Sequence, residues 1–139
     1  MFVNDFEDLA IYQKSRALAK QVYQITKQGE FRFDTRFVQQ IRASAGSISD
    51  NIAEGFERQG TKEFKNFLFI AKGSCGELRS QINRALDAEW IDETTHRQMY
   101  DDCKKLAISI NKFILSLKSS DYKGSRYTET PFKTNQDNS

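Results

Sequence analysis

Phe64-Lys65-Asn66-Phe67-Leu68-Phe69-Ile70-Ala71-Lys72-Gly73-Ser74-Cys75-Gly76-Glu77-Leu78 carries two helical patterns at once. Phe64, Phe67, Leu68, Ala71, Cys75 and Leu78 recur at three and four residues and continue to Ile82, which predicts a helix over about Thr61 to Ala88. At 1.5 Å per residue that helix is about 40 Å long. Phe69, Gly73, Gly76 and Ser80 form a second row roughly opposite the first. A helix with two such sides has one partner set inside the protomer and room for another outside it.

Working outward, the same spacing recurs in three further stretches. Asp8 to Lys27 places Ile11, Leu18, Val22 and Ile25 on one face. Thr35 to Glu54 aligns Phe37, Ile41, Ser44, Ile48 and Ile52, with Asp34 as the expected N-cap. A fourth helix starts near Asp92, and Met99, Cys103, Leu106, Ile110, Phe113 and Leu117 give it the four-three seam of a left-handed bundle. Glycines 29, 55 and 60 fall between these stretches, and the single proline, Pro131, lies beyond them. The expected fold is all-α, an up-down four-helix bundle over residues 1–118 with a polar tail over residues 119–139. In that tail Tyr122, Tyr127 and Phe132 alternate with Lys123, Arg126 and Lys133. This composition suits either base stacking or an arm on a neighbouring subunit.

Composition excludes several classes. With 139 residues the chain is one domain in size, and its longest apolar run is the five residues Phe67 to Ala71, so no membrane span is expected. The N-terminal Met-Phe-Val-Asn-Asp-Phe-Glu-Asp has neither the basic flank nor the apolar stretch of an export signal, which predicts a cytoplasmic protein. Cys75 and Cys103 sit at core positions and suit reduced thiols. His96 is the only histidine, so Glu93-x-x-His96 lacks the second copy that a di-metal bundle site needs. Gly73-Ser74-Cys75-Gly76 lacks the ending of a phosphate-binding loop. No enzyme activity, metal, cofactor or small-molecule substrate is expected.

The outer rows predict a homo-oligomer. Ala43, Gly46 and Ala53 lie away from Ile41 and Ile48, Tyr12, Ala19 and Tyr23 lie about 100° from the core stripe of the first helix, and Phe69, Gly73 and Gly76 complete the surface. Each glycine in a helix interior costs about 1 kcal/mol, so close approach of another backbone is the natural reason to keep them. Packing inside a tight monomer is the competing reason.

Net charge is only +2, yet residues 61–86 carry five Lys and Arg against two Glu. Lys65, Lys72 and Arg79 recur every seven residues along one flank, with Lys62 and Arg84 extending the surface and Arg42 and Arg58 at either side of the Asn51 to Gly55 block. Cations about 10 Å apart can follow a phosphate backbone, and a ring of copies would multiply the field. The alternative is a solvated flank whose cations pair with Glu54, Glu57 or Glu77 across subunits. Asn51 is expected to hydrogen-bond across a helix interface, Gly55 to end the second helix as its C′ residue, and Trp90 to plug the bundle end between the third and fourth helices.

Three blocks carry a family resemblance. Phe6-Glu7-Asp8-Leu9-Ala10-Ile11-Tyr12-Gln13-Lys14, Ser47-Ile48-Ser49-Asp50-Asn51-Ile52-Ala53-Glu54-Gly55 and the Phe64 to Leu78 stretch resemble bacterial four-helix-bundle proteins encoded in 23S rRNA intervening sequences. The resemblance covers about residues 6–118. It implies an antiparallel bundle assembled as a homopentameric barrel, and kinship with accessory proteins of diversity-generating retroelements, which assist a reverse transcriptase on its RNA template. Ala43 stands where many relatives have a second arginine, and Ser49 where many have proline, and the lost arginine weakens the nucleic-acid inference. The expected function is non-enzymatic binding of RNA, DNA or a nucleic-acid-handling partner, with a protein-only interaction scaffold as the alternative.

Overall fold

The computed structural model describes residues 3–117, which form four α-helices and no strand. They are α1 (Ala10–Thr26), α2 (Thr35–Glu57), α3 (Thr61–Asp87) and α4 (Glu93–Ser116), with short 3-10 turns at Phe6–Asp8 and Gly29–Phe33. α2 packs on α3, α3 on α4, and α1 on α2 and, less extensively, on α4. Together they make a four-helix bundle. No helix among the described residues is long and apolar enough to cross a membrane. The tail over residues 119–139 lies outside the described residues.

Helix starts follow local chemistry. The Asp34 carboxylate accepts the Phe37 amide at 3.0 Å and opens α2, and the Asp92 carboxylate accepts the Thr95 amide at 2.7 Å and opens α4. That bond holds the Asp92 carboxyl below its usual range. α1 begins two residues later than its apolar spacing suggests, because Phe6–Asp8 closes a 3-10 turn and Leu9 is extended.

Helix ends hold the main corrections. α2 does not stop before Gly55 but runs on to Glu57, with Gly55 buried inside it. A Cβ at Gly55 would lie 2.7 Å from Cβ of Phe67 and 2.9 Å from Cδ1 of Phe64, so this glycine permits close approach of α3. The left-handed position after the helix goes instead to Gln59, at φ 63°. α3 ends in a Schellman motif, with the Glu89 amide donating to Leu86 O at 2.9 Å and the Trp90 amide to Ala85 O at 3.0 Å. Glu89 takes the left-handed position at φ 62°. The motif folds Trp90 back over the helix end, where its ring stacks on Phe31 at 4.7 Å and meets Phe37 at 5.7 Å. Its neighbours are thus the turn before α2 and the first turn of α2 rather than an α3–α4 gap alone.

The core matches the apolar spacing closely. Ile11, Leu18 and Val22 of α1, Phe37, Ile41, Ile48 and Ile52 of α2, Phe64, Leu68, Ala71, Cys75, Leu78 and Ile82 of α3, and the full α4 stripe are buried. Two positions differ. Ile25 is only half-buried while its neighbour Thr26 goes inside, its hydroxyl donating to Val22 O at 2.7 Å. Phe67 is half-buried at the α2 boundary, with the Arg58 guanidinium 5.2 Å above its ring. Asn51 does not bridge helices: it donates to Ser47 O at 2.7 Å, and the bond across α2 and α3 is Ser47 to Ser74, at 2.8 Å.

Candidate nucleic-acid interface

The seven-residue spacing of Lys65, Lys72 and Arg79 puts them on the flank of α3 that turns toward α4. Lys72 Nζ donates to Asn111 Oδ1 at 3.0 Å, and the Arg79 guanidinium lies 5.5 Å from the Tyr100 ring centre. Lys104, one turn along α4, approaches the same ring at 5.8 Å. His96 completes the cluster, its ring 5.5 Å from Tyr100 and its Nε2 2.8 Å from Asn83 Oδ1. An aromatic face and an amide oxygen hold cations without cancelling their charge, unlike a carboxylate. None of Lys65, Lys72, Arg79 and Lys104 has a carboxylate at ion-pair distance among the described residues. The seam therefore presents positive charge around a half-buried aromatic ring.

The other four cations expected on this surface lie elsewhere, Arg84 with its guanidinium 4.4 Å from the Phe37 ring. Arg42 faces α1, where Nε donates to Thr26 Oγ1 at 2.9 Å and the guanidinium sits 5.2 Å from the Tyr23 ring. Arg58, the residue that caps α2, forms an exposed ion pair with Glu54 at 3.0 Å. Lys62 is exposed in the first turn of α3. The structure thus sets Lys72 and Arg79 against α4, with Lys65 on the same flank of α3, and distributes the rest.

A family model described as 23S rRNA-intervening sequence protein matches residues 7–112, from the first 3-10 turn through most of α4. The chain belongs to that family. No curated protein matches it. In this 23S rRNA-intervening sequence protein the match takes in α1, α2 and α3 and all the seam residues named above.

Sequence reasoning missed Lys104, Tyr100 and His96 in this family member. Their joining to the α3 cations depends on the register between α3 and α4, which no single-helix pattern carries. The only available signal was the i, i+4 series His96, Tyr100, Lys104 on one face.

The thiols and the Glu93-x-x-His96 pair offer little chemistry. Burial pushes both Cys75 and Cys103 up to about 12, with the Cys75 and Asp102 charges adding to the effect at Cys103 and Arg79 opposing it. Among the described residues no group of three or more His, Cys, Asp or Glu is placed to hold a metal ion.

The expected interface residues lie as follows. Gly73 and Gly76 are exposed, and a Cβ on either would meet nothing within 4 Å among the described residues. Phe69 beside them is 53% exposed. Ala43 is exposed, and Gly46 and Ala53 are half-buried. Tyr23 is exposed beneath Arg42, whereas Tyr12 is half-buried against Phe6, with ring centres 4.9 Å apart.

Proposed function

We propose that this protein is a non-enzymatic, cytoplasmic, homopentameric bundle that binds RNA or DNA through the α3–α4 seam. The observation that carries the reading is the holding of Lys72 and Arg79 by Asn111 and Tyr100, which leaves their charge available to phosphate. Tyr100 adds a ring on which a base can stack once Arg79 and Lys104 swing to phosphate. The family resemblance adds a nucleic-acid-handling partner such as a reverse transcriptase.

Two further features of the proposal have their own support. The up-down, antiparallel arrangement is favoured by the pairs between neighbouring helices. Along α2, Phe37, Ser47 and Phe56 meet Arg84, Ser74 and Phe64 in turn, so numbers rise on one helix as they fall on the other. Lys72 with Asn111, Arg79 with Tyr100 and Asn83 with His96 repeat this between α3 and α4. Assembly is favoured by Gly73 and Gly76, because open space around both leaves packing among the described residues with no use for a glycine there. The number five comes from the resemblance.

An electrophoretic shift assay with structured RNA and with duplex DNA, repeated at rising salt, tests the reading. The expected result is a shift that weakens steeply with salt, since each phosphate contact releases counterions. Lys65→Glu, Lys72→Glu and Arg79→Glu together abolish the shift while oligomer mass and helix content stay unchanged. A chain that shifts neither probe, or a triple variant that binds as before, overturns the proposal and leaves a protein-only scaffold as the better account.

A further inference from the structure

α1 meets α4 less extensively than the other neighbouring pairs meet, and between them lies a cavity of about 290 Å³. That is the low end for ligand pockets, about 300 Å³. Its walls carry Lys14, Gln21 and Leu18 from α1, and Asp102, Lys105 and Leu106 from α4. Two ammonium groups thus share one small space without an ion-pair partner among the described residues. Like charges left together destabilise an empty cavity and are relieved by an anionic occupant.

We propose that this cavity binds a small aliphatic amino or hydroxy acid. Lys14 and Lys105 hold its carboxylate. Asp102 accepts from its ammonium or hydroxyl, and Leu18 and Leu106 cover its aliphatic side chain. Both lysines and Asp102 then have a partner of the right sign. The crowding registers at Lys14, whose partial burial and nearby Lys105 pull its amine below the usual lysine range. A bound carboxylate would reverse part of that shift. None of the α3–α4 seam cations lines this cavity, so the inference stands apart from nucleic-acid binding.

Titration calorimetry of the full chain with three probes of similar size tests it. L-leucine supplies anion and donor, 4-methylpentanoate the anion alone, and 3-methylbutylamine the donor alone. The expected order is leucine tightest with one site per chain, 4-methylpentanoate weaker, and the amine without saturable binding. Lys14→Gln and Lys105→Gln each weaken leucine about tenfold or more, the usual loss of a charged hydrogen bond. The Lys65, Lys72 and Arg79 triple variant binds leucine unchanged. Methyl NMR gives a second reading, with leucine shifting the Leu18 and Leu106 signals first. Absence of saturable leucine binding, equal binding of the amine, unaltered affinity in both lysine variants, or shifts confined to other methyls overturns the proposal.

Discussion

An alanine methyl at position 55 would meet Cβ of Phe67 and the ring of Phe64, atoms too close to the α3 backbone to move alone. Gly55→Ala is therefore expected to destabilise the fold by about 1–3 kcal/mol through overpacking, read as a lowered denaturation midpoint. The buried thiols make a second residue-level case with a definite sign. In the folded chain Cys75 and Cys103 keep their protons up to about 12, whereas an exposed thiol releases its proton near 9.0. Their contribution is fully present below 9.0 and is lost as pH rises through that window, because only the unfolded chain ionises readily. Denaturation curves between neutral pH and pH about 11 should show stability falling, and more steeply than in a Cys75→Ala, Cys103→Ala variant. At neutral pH both thiols should react with an alkylating reagent only after denaturant is added.

Among the elements, α3 is closed by a left-handed residue that is not glycine. Glu89 at φ 62° carries the steric cost of that conformation, about 1–2 kcal/mol for a residue with a Cβ. Glu89→Gly is expected to raise stability by about 1 kcal/mol, measured by chemical denaturation, with the Trp90 stack on Phe31 unchanged. This position also marks where sequence reading fails. Periodicity locates the α3 stripe from Phe64 to Ile82 because burial on one face repeats every three or four residues. The end of α2 is misread because a glycine suits both a helix terminus and a tight crossing, and only the position of Phe67 on the next helix distinguishes them. Lys65, Lys72 and Arg79 are legible as one flank, since they share a single helix. Their neighbours Tyr100 and Asn111, and the turning of Arg42 toward Tyr23, depend on how helices are rotated against each other. A row of cations in one helix is local information, while the ring or amide that holds them is tertiary.

For the molecule as a whole, the row Phe69, Gly73, Gly76 and Ser80 separates a monomer from an assembly. Among the described residues nothing lies within 4 Å of a Cβ on Gly73 or Gly76. If the protein worked alone, Gly73→Ala and Gly76→Ala would each relieve the helix-interior penalty of glycine and raise stability by about 1 kcal/mol. If copies pack on this row, the same methyl groups hold two backbones apart where close approach is required, and the loss of contact outweighs the gain in helix propensity. The expected outcome for the double variant is a lower mass by light scattering with helix content retained, together with a lower melting temperature that depends less on protein concentration than that of the unchanged chain. An unchanged mass with a raised, concentration-independent melting temperature would instead assign the outer face of α3 to solvent. The α3–α4 seam would then act as a single cationic patch of modest field rather than one multiplied around a ring, and the salt dependence of any nucleic-acid binding would be shallow.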